Sequence, residues 1–147
     1  MRKGSLLAAA MLGCAMSSPV LASEPIDEIV TRCERSVGRY GASIVKVCVE
    51  SDLEAYRALQ DYPRQPEFLG AVIDRCEHQV RQHGWSIVRS CVDQDIEAGE
   101  ALAGYPKEHQ PFVSRCVRSV GKHGLAIVKT CADQDIEAAE ALRRYRK

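Results

Sequence analysis

Residues 75–105 read RCEHQVRQHGWSIVRSCVDQDIEAGEALAGY, and this stretch decides the fold because the chain contains it three times. An earlier copy spans residues 32–62 and a later copy spans residues 115–145, so the three copies begin at Arg32, Arg75 and Arg115. All three copies share the Arg before the first Cys, both Cys, a Val, a Gly, an Ile-Val pair, an Asp, a Glu-Ala pair and a final Ala, Leu and Tyr. A period of about 40 residues is typical of repeat architectures, in which neighbouring units bury one another's apolar faces.

Each copy predicts two helices joined by a short turn. Apolar side chains recur every three or four residues before Gly41 and again after it, which is the period of one helix face. Glycine at this place, repeated as Gly84 and Gly124, predicts a left-handed residue that caps the end of the first helix. Because the connection is so short, the two helices must run antiparallel.

The cysteines give each hairpin a covalent link. Outside Cys14 there are six, and they form three pairs whose members are 15 positions apart. Cys33 lies eight residues before Gly41 and Cys48 lies seven after it, so both sit about 11 Å from the turn at the rise of an α-helix. The spacing predicts the disulfides Cys33–Cys48, Cys76–Cys91 and Cys116–Cys131.

Reactive thiols or a zinc site are the alternative interpretation of these cysteines. No Cys-x-x-Cys occurs in the chain. Residues 1–22 also predict export, as described below, to an oxidising compartment that does not favour thiolates. The sequence thus predicts an all-α fold of three tandem disulfide-stapled antiparallel helical hairpins, arranged as a short α-solenoid or a compact six-helix array. This arrangement resembles cysteine-rich helical-repeat proteins that bacteria secrete, but the cysteine spacing, with one cysteine in each helix, departs from theirs, so no family is assigned.

Residues 1–22 predict a cleaved export signal. Arg2 and Lys3 precede a short apolar run, and Val20-Leu21-Ala22 has the small-residue pattern of a cleavage site. The alternative is a lipid anchor on Cys14, which follows Met11-Leu12-Gly13. Residues 23–147 form one predicted helical-repeat domain, with repeats at about 25–63, 66–106 and 109–147. We therefore expect a periplasmic or secreted protein without a transmembrane segment after signal removal.

The acidic residues fall into two groups. In the second copy Asp95 follows Cys91 by one helical turn and lies on the inward apolar stripe, where an unpaired carboxylate is costly. Arg75 on the facing helix lies within reach. The structural ion pairs predicted in this way are Arg32 with Asp52, Arg75 with Asp95, and Arg115 with Asp135.

The other acids point outward in the predicted helices and form a candidate acidic strip. Together with two histidines beside the turn glycines, they give the predicted partner-binding residues: Glu54, Asp93, Glu97, Asp133, Glu137, His83 and His123. Asp93, Asp95 and Glu97 alternate like the start of a calcium loop, but Ala98 stands where that loop requires glycine. No metal ligand and no cofactor is predicted.

Charge and motif content limit the function. Without Arg2 and Lys3 the chain has 18 basic and 20 acidic residues, so nucleic-acid binding lacks the basic excess it requires. No catalytic motif occurs, and the identities are spread evenly over three copies. We expect an exported, non-catalytic protein-interaction module of the bacterial cell envelope, whose partner is another envelope or extracellular protein. The alternative is a periplasmic stress protein that binds a small ligand or a metal.

Overall fold

The computed structural model describes residues 25–63 and 67–146, and the predicted export signal and Cys14 lie outside these residues. The described chain is built from six α-helices, which pair into three hairpins in chain order. Their bounds are α1 Ile26–Val37, α2 Ala42–Asp61, α3 Glu67–Val80, α4 Trp85–Ala103, α5 Gln110–Val120 and α6 Leu125–Tyr145. The all-α prediction is confirmed.

A disulfide links the two helices of every hairpin. The structure contains Cys33–Cys48, Cys76–Cys91 and Cys116–Cys131, each with its Cα atoms 5.8 to 5.9 Å apart. The predicted pairing is therefore confirmed. Bridging two cysteines that are 15 positions apart in the sequence restricts the unfolded chain, and this contributes about 3 kcal/mol of stability in the chain-entropy model.

The turns differ from the sequence prediction in one respect. α1 ends at Val37, a single 3₁₀ turn covers Gly38–Tyr40, and Gly41 then precedes α2 with φ 100° and ψ 164°. Gly84 and Gly124 have the same conformation, with φ 118° and 112°. The prediction of a positive φ was right, but the glycine does not cap the first α-helix directly. It closes the 3₁₀ turn that follows that helix, and it is at the same time the N-cap residue of the second helix.

The hairpins follow one another in a row. Each first helix packs on its own second helix, and α4 packs against both α2 and α6. Of the two arrangements that the sequence left open, this row is the short solenoid. Its main core joins the first two hairpins and includes Ile29, Leu59, Val88 and Val92, while a smaller cluster around Val128 joins the third hairpin to Leu102.

Candidate protein-interaction site

The junction between the second and third hairpins is organised by a buried ion pair. Arg75 Nη2 donates to Asp95 Oδ2 over 2.5 Å, and the Asp95 side chain is only 5% exposed. Arg75 Nη1 also donates to the backbone carbonyl of His123, in the next turn. The ion pair predicted within one hairpin therefore also contacts the hairpin that follows.

Asp95 caps the second helix of the next hairpin. Its Oδ2 accepts the backbone N–H of Leu125 over 2.9 Å, and its Oδ1 accepts that of Ala126 over 3.0 Å. The first N–H groups of a helix have no partner within the helix, and an anion near them also interacts favourably with the helix dipole. Gly124 has no side chain with which to cap α6, so the preceding hairpin supplies the cap.

The junction between the first and second hairpins repeats this arrangement. Arg32 Nη2 lies 2.6 Å from Asp52 Oδ2. Asp52 accepts the backbone N–H groups of Trp85 and Ser86, each over 3.0 Å, and the Ser86 hydroxyl over 2.9 Å. The repeated contacts mean that the Arg–Asp pair joins hairpins as well as the helices of one hairpin.

The turn glycine allows the ion pair to come this close. A Cβ atom on Gly84 would lie 2.8 Å from Asp52 Oδ2, and one on Gly124 would lie 2.9 Å from Asp95 Oδ1. A Cβ on Gly41 would meet no atom within 4 Å. Gly41 is therefore the one turn glycine in the described chain that no Arg–Asp pair covers.

The third ion pair is present but exposed. Arg115 Nη2 lies 2.5 Å from Asp135 Oδ2, and the two side chains are 57% and 36% exposed. The corresponding values for Arg75 and Asp95 are 19% and 5%. All hydrogen bonds of Asp135 within the described residues involve Oδ2, so Oδ1, the atom that corresponds to the second capping oxygen of Asp95, accepts none there.

Tyrosine–aspartate contacts lie at the edge of the junctions. The hydroxyl of Tyr62 donates to Asp93, and the hydroxyl of Tyr105 donates to Asp133. The hydrogen bond to Asp93 is the main cause of the raised pKa of Tyr62, whereas burial and then the bond to Asp133 raise the pKa of Tyr105. Two acids that the sequence assigned to an outside partner thus contact the preceding hairpin.

The pKa of Asp133 is lowered at the same junction edge. The hydrogen bond from Lys129 is the larger cause, and the one from Tyr105 is the second. Both bonds favour the ionised carboxylate, and Asp133 therefore enters its junction contact as an anion.

The remaining predicted partner-binding residues lie on the surface. Glu97, Glu137, His83 and His123 are exposed, and Glu54 is exposed with an oxygen 3.6 Å from Arg89. Both histidines are held in the 3₁₀ turns, where their backbone carbonyls accept hydrogen bonds from Arg32 and Arg75. The role of these five side chains in binding a partner remains a prediction.

An apolar groove opens between the second and third hairpins. Its volume is about 580 Å³, and its walls include Phe68, Val117, Gly99 and Leu125. At the first junction the positions of Gly99 and Leu125 are occupied by Tyr56 and Trp85, whose rings pack edge to face with centroids 4.9 Å apart. The second junction lacks this aromatic pair, and the groove lies at that place.

Metal-ligand geometry occurs at one place in the described residues. Cys116, Cys131 and Asp135 bring a sulfur or an oxygen within 4.8 Å of one another. The two sulfurs form a disulfide, and a disulfide does not supply the thiolate that binds metals. The cluster is therefore explained by the bridge and by the neighbouring ion pair.

Three disulfides indicate a protein that acquires its fold outside the reducing cytoplasm. Within residues 25–63 and 67–146, no helix has the length and apolar character needed to cross a membrane. Comparisons of the chain with models of protein families, with curated proteins and with solved structures found no significant match.

Sequence reasoning found the Arg–Asp pairs but missed their role as caps between hairpins. A signal for that role is present in the repeat. Each copy keeps both an inward Asp and a glycine before its second helix, and a glycine at the N-cap has no side chain that could accept the first N–H groups.

Proposed function

We propose that the protein is an exported, non-catalytic protein-interaction module of the bacterial cell envelope, which binds its partner through the end of the third hairpin. We call this surface the tail and define it by Arg115, Asp135, Ala138, Leu142 and Tyr145. One observation carries the proposal. The Arg115–Asp135 pair occupies the same repeat positions as the two inner pairs, with a similar distance from Nη2 to Oδ2, but within the described residues no helix N-terminus is capped by it.

The chemistry of the tail defines the partner it would bind. A carboxylate with one unused oxygen lies beside a guanidinium group and an exposed apolar side chain, since Leu142 is 56% exposed. At the inner junctions this set holds the first two N–H groups of a helix, with apolar side chains below them. The expected partner is therefore a protein helix that begins with a small residue and offers uncapped N–H groups.

A crosslinking experiment in cells tests this function. A photo-crosslinking amino acid at Leu142 is expected to give a specific protein adduct in the envelope, identified by mass spectrometry. The adduct should disappear when Asp135→Asn is added, and it should persist with Asp61→Asn, the same substitution at an exposed position at the end of α2, outside the predicted partner-binding residues. No adduct at Leu142, or equal adducts in both backgrounds, would contradict the proposal.

The groove favours a second candidate, binding of a small apolar molecule. Phe68 and Val117 are 47% and 48% exposed at its walls, and apolar pockets of this size bind small ligands. The probe 1-anilinonaphthalene-8-sulfonate is expected to bind the native protein with enhanced fluorescence. Val117→Glu should abolish the enhancement, while Ile127→Glu, at an equally exposed position away from the groove, should not. Equal fluorescence in both variants would exclude the groove as the site.

A further inference from the structure

The first hairpin carries a surface that matches the buried side of the two inner junctions. We call it the head and define it by Gly41, Ala42, Ser43, Val45 and Val49. Gly41 has the positive φ of Gly84 and Gly124 but open space around it. Within the described residues, the N–H groups of Ala42 and Ser43 lack the carboxylate cap that those of Trp85 and Ser86 receive.

The apolar side chains of the head are incompletely covered. Val45 and Val49 are half-buried, whereas Val88 and Val92 at the same positions of the second copy are both 0% exposed. The difference arises because α4 has α2 packed against this face. The head therefore resembles the covered side of a junction, but no hairpin of the described residues packs on it.

The tail has the complementary side of the same junction. Leu59 and Leu102, which lie under the following hairpin, are 1% and 7% exposed, whereas Leu142 at the same position is 56% exposed. Ala55 and Ala98 are likewise buried, and Ala138 is exposed. The third copy thus keeps Asp, Ala, Leu and Tyr at the junction positions although no hairpin of the described chain follows it.

The tyrosine–acid hydrogen bond of the inner junctions also has its two members on these surfaces, a tyrosine at the tail and an acid beside the head. Tyr62 and Tyr105 donate to Asp93 and Asp133, acids near the middle of the next second helix. Tyr145 is 87% exposed at the tail. At the head Glu50 takes the position of Asp93 and is paired with Lys46, in the same way as Asp133 is paired with Lys129.

We propose that the partner of the tail is the head of a second copy of this chain. This inference rests on the proposed function and specifies its partner. Asp135 of one copy caps α2 of the next, Arg115 reaches the turn carbonyls as Arg32 and Arg75 do, and Tyr145 donates to Glu50. The contact continues the two inner junctions with a third of the same kind.

Two physical consequences follow from this contact. It joins different surfaces, so it is heterologous and generates chains or rings of copies and not a closed two-fold dimer. Ala42 stands where the inner junctions have Trp85 and Leu125, so the contact between copies buries less apolar surface than those within the chain. Association should therefore be reversible and dependent on concentration.

Sedimentation velocity of the oxidised protein lacking residues 1–22 tests this inference. The average mass of the wild-type protein is expected to rise with concentration. Ala42→Glu places a carboxylate at the head where Asp135 must approach, and Leu142→Glu places one on the apolar tail. Each variant alone should remain a monomer, and an equimolar mixture should form dimers and nothing larger, because one intact head and one intact tail remain.

Matched controls separate this effect from general changes in charge. Ile44→Glu alters an exposed head-side residue whose counterparts Ile87 and Ile127 stay exposed at the inner junctions, so it should associate like the wild type. A wild-type protein that stays monomeric, or a mixture that forms no dimer, would overturn the inference. If crosslinking at Leu142 then still captured a different protein, the proposed function would stand without self-association. The absence of both signals would remove both proposals.

Discussion

At the scale of single residues, the aspartate of each repeat has two tasks. Asp95 neutralises Arg75 within its own hairpin and caps α6 in the next hairpin. Its counterpart Asp135 performs only the first task within the described chain. The same side chain in the same local sequence thus has different energetic weight, because burial and the number of hydrogen bonds differ between the two places.

Asparagine at these two positions should reveal this difference. Asp95→Asn leaves Arg75 without its anion and presents an NH₂ group or a weaker acceptor to the α6 amides. We expect it to lower the free energy of unfolding by roughly 3 kcal/mol, since it breaks a buried, hydrogen-bonded ion pair. Asp135→Asn should cost less than about 1 kcal/mol, as exposed ion pairs do. Urea unfolding of the oxidised proteins at low concentration measures both, and equal losses would contradict the capping role.

The pairs themselves could be predicted from the sequence, but their second task could be predicted only in part, because the glycine before each second helix indicates a missing side-chain cap and not which group supplies it. The helical period places Asp95 on the inward stripe one turn from Cys91, and Arg75 precedes the cysteine that faces it, so the spacing within a hairpin determines the pair. Which group of the next hairpin lies beside Asp95 depends on how α4 and α6 pack. No short-range spacing encodes that, because the contact spans 30 residues.

At the scale of elements, contacts between the second helices of neighbouring hairpins hold the solenoid together. α4 is packed against both α2 and α6, which explains why Val92 is fully buried although its neighbour Cys91 is the residue bonded to α3. Nothing in the repeat pattern indicated that a 3₁₀ turn would end each first helix and move the glycine to the start of the second. The helical period within one hairpin contains no information about contacts between hairpins or about the exact path of a turn.

Alanine at the turn glycines separates backbone strain from contact with the ion pair. Gly41→Ala forces an L side chain to φ 100° and ψ 164° in open space, which we expect to cost about 1 to 3 kcal/mol of unfolding free energy. Gly124→Ala adds the displacement of Arg75 and Asp95 from the start of α6, so its loss should exceed that of Gly41→Ala by about 1 kcal/mol or more, the contribution of one lost hydrogen bond. Denaturant midpoints at low protein concentration test the order. Equal losses would show that the ion pair tolerates a Cβ atom.

At the scale of the whole molecule, the junctions couple stability to pH. Burial and hydrogen bonding raise the pKa of Tyr105 above 10.0 in the folded state. The contribution of Tyr105 to the free energy of unfolding is therefore complete below pH 10.0, and it is lost as the pH rises through the pKa of Tyr105 in the folded state. The pKa of Asp133 is lowered from 3.8. The contribution of Asp133 to the free energy of unfolding is present above pH 3.8, and it is lost as the pH falls through the pKa of Asp133 in the folded state.

Phenylalanine at Tyr105 should flatten the alkaline side of this profile. Tyr105→Phe removes both the hydrogen bond to Asp133 and the proton whose loss the folded state resists. We expect the urea midpoint of the variant to fall less between pH 8 and pH 11 than that of the wild type. This is the pH range in which a tyrosine with a pKa near 10 titrates. Tyr40→Phe is the control, because Tyr40 is exposed in the first turn. An unchanged alkaline slope in Tyr105→Phe would contradict the assignment.

Hydrogen exchange at the helix starts connects the fold to the proposed assembly. In dilute protein the N–H groups of Leu125 and Ala126 should exchange slowly, because buried Asp95 accepts both. Those of Ala42 and Ser43 should exchange quickly, since the described chain offers them no carboxylate. Raising the protein concentration should slow exchange at Ala42 and Ser43 if Asp135 of a second copy caps them. Asp135→Asn should prevent that change, while Asp61→Asn, at an exposed position outside the head and the tail, should allow it. Fast exchange at Ala42 and Ser43 at every concentration would leave the inner caps intact as a feature of the fold and rule out the head as the place where a second copy binds.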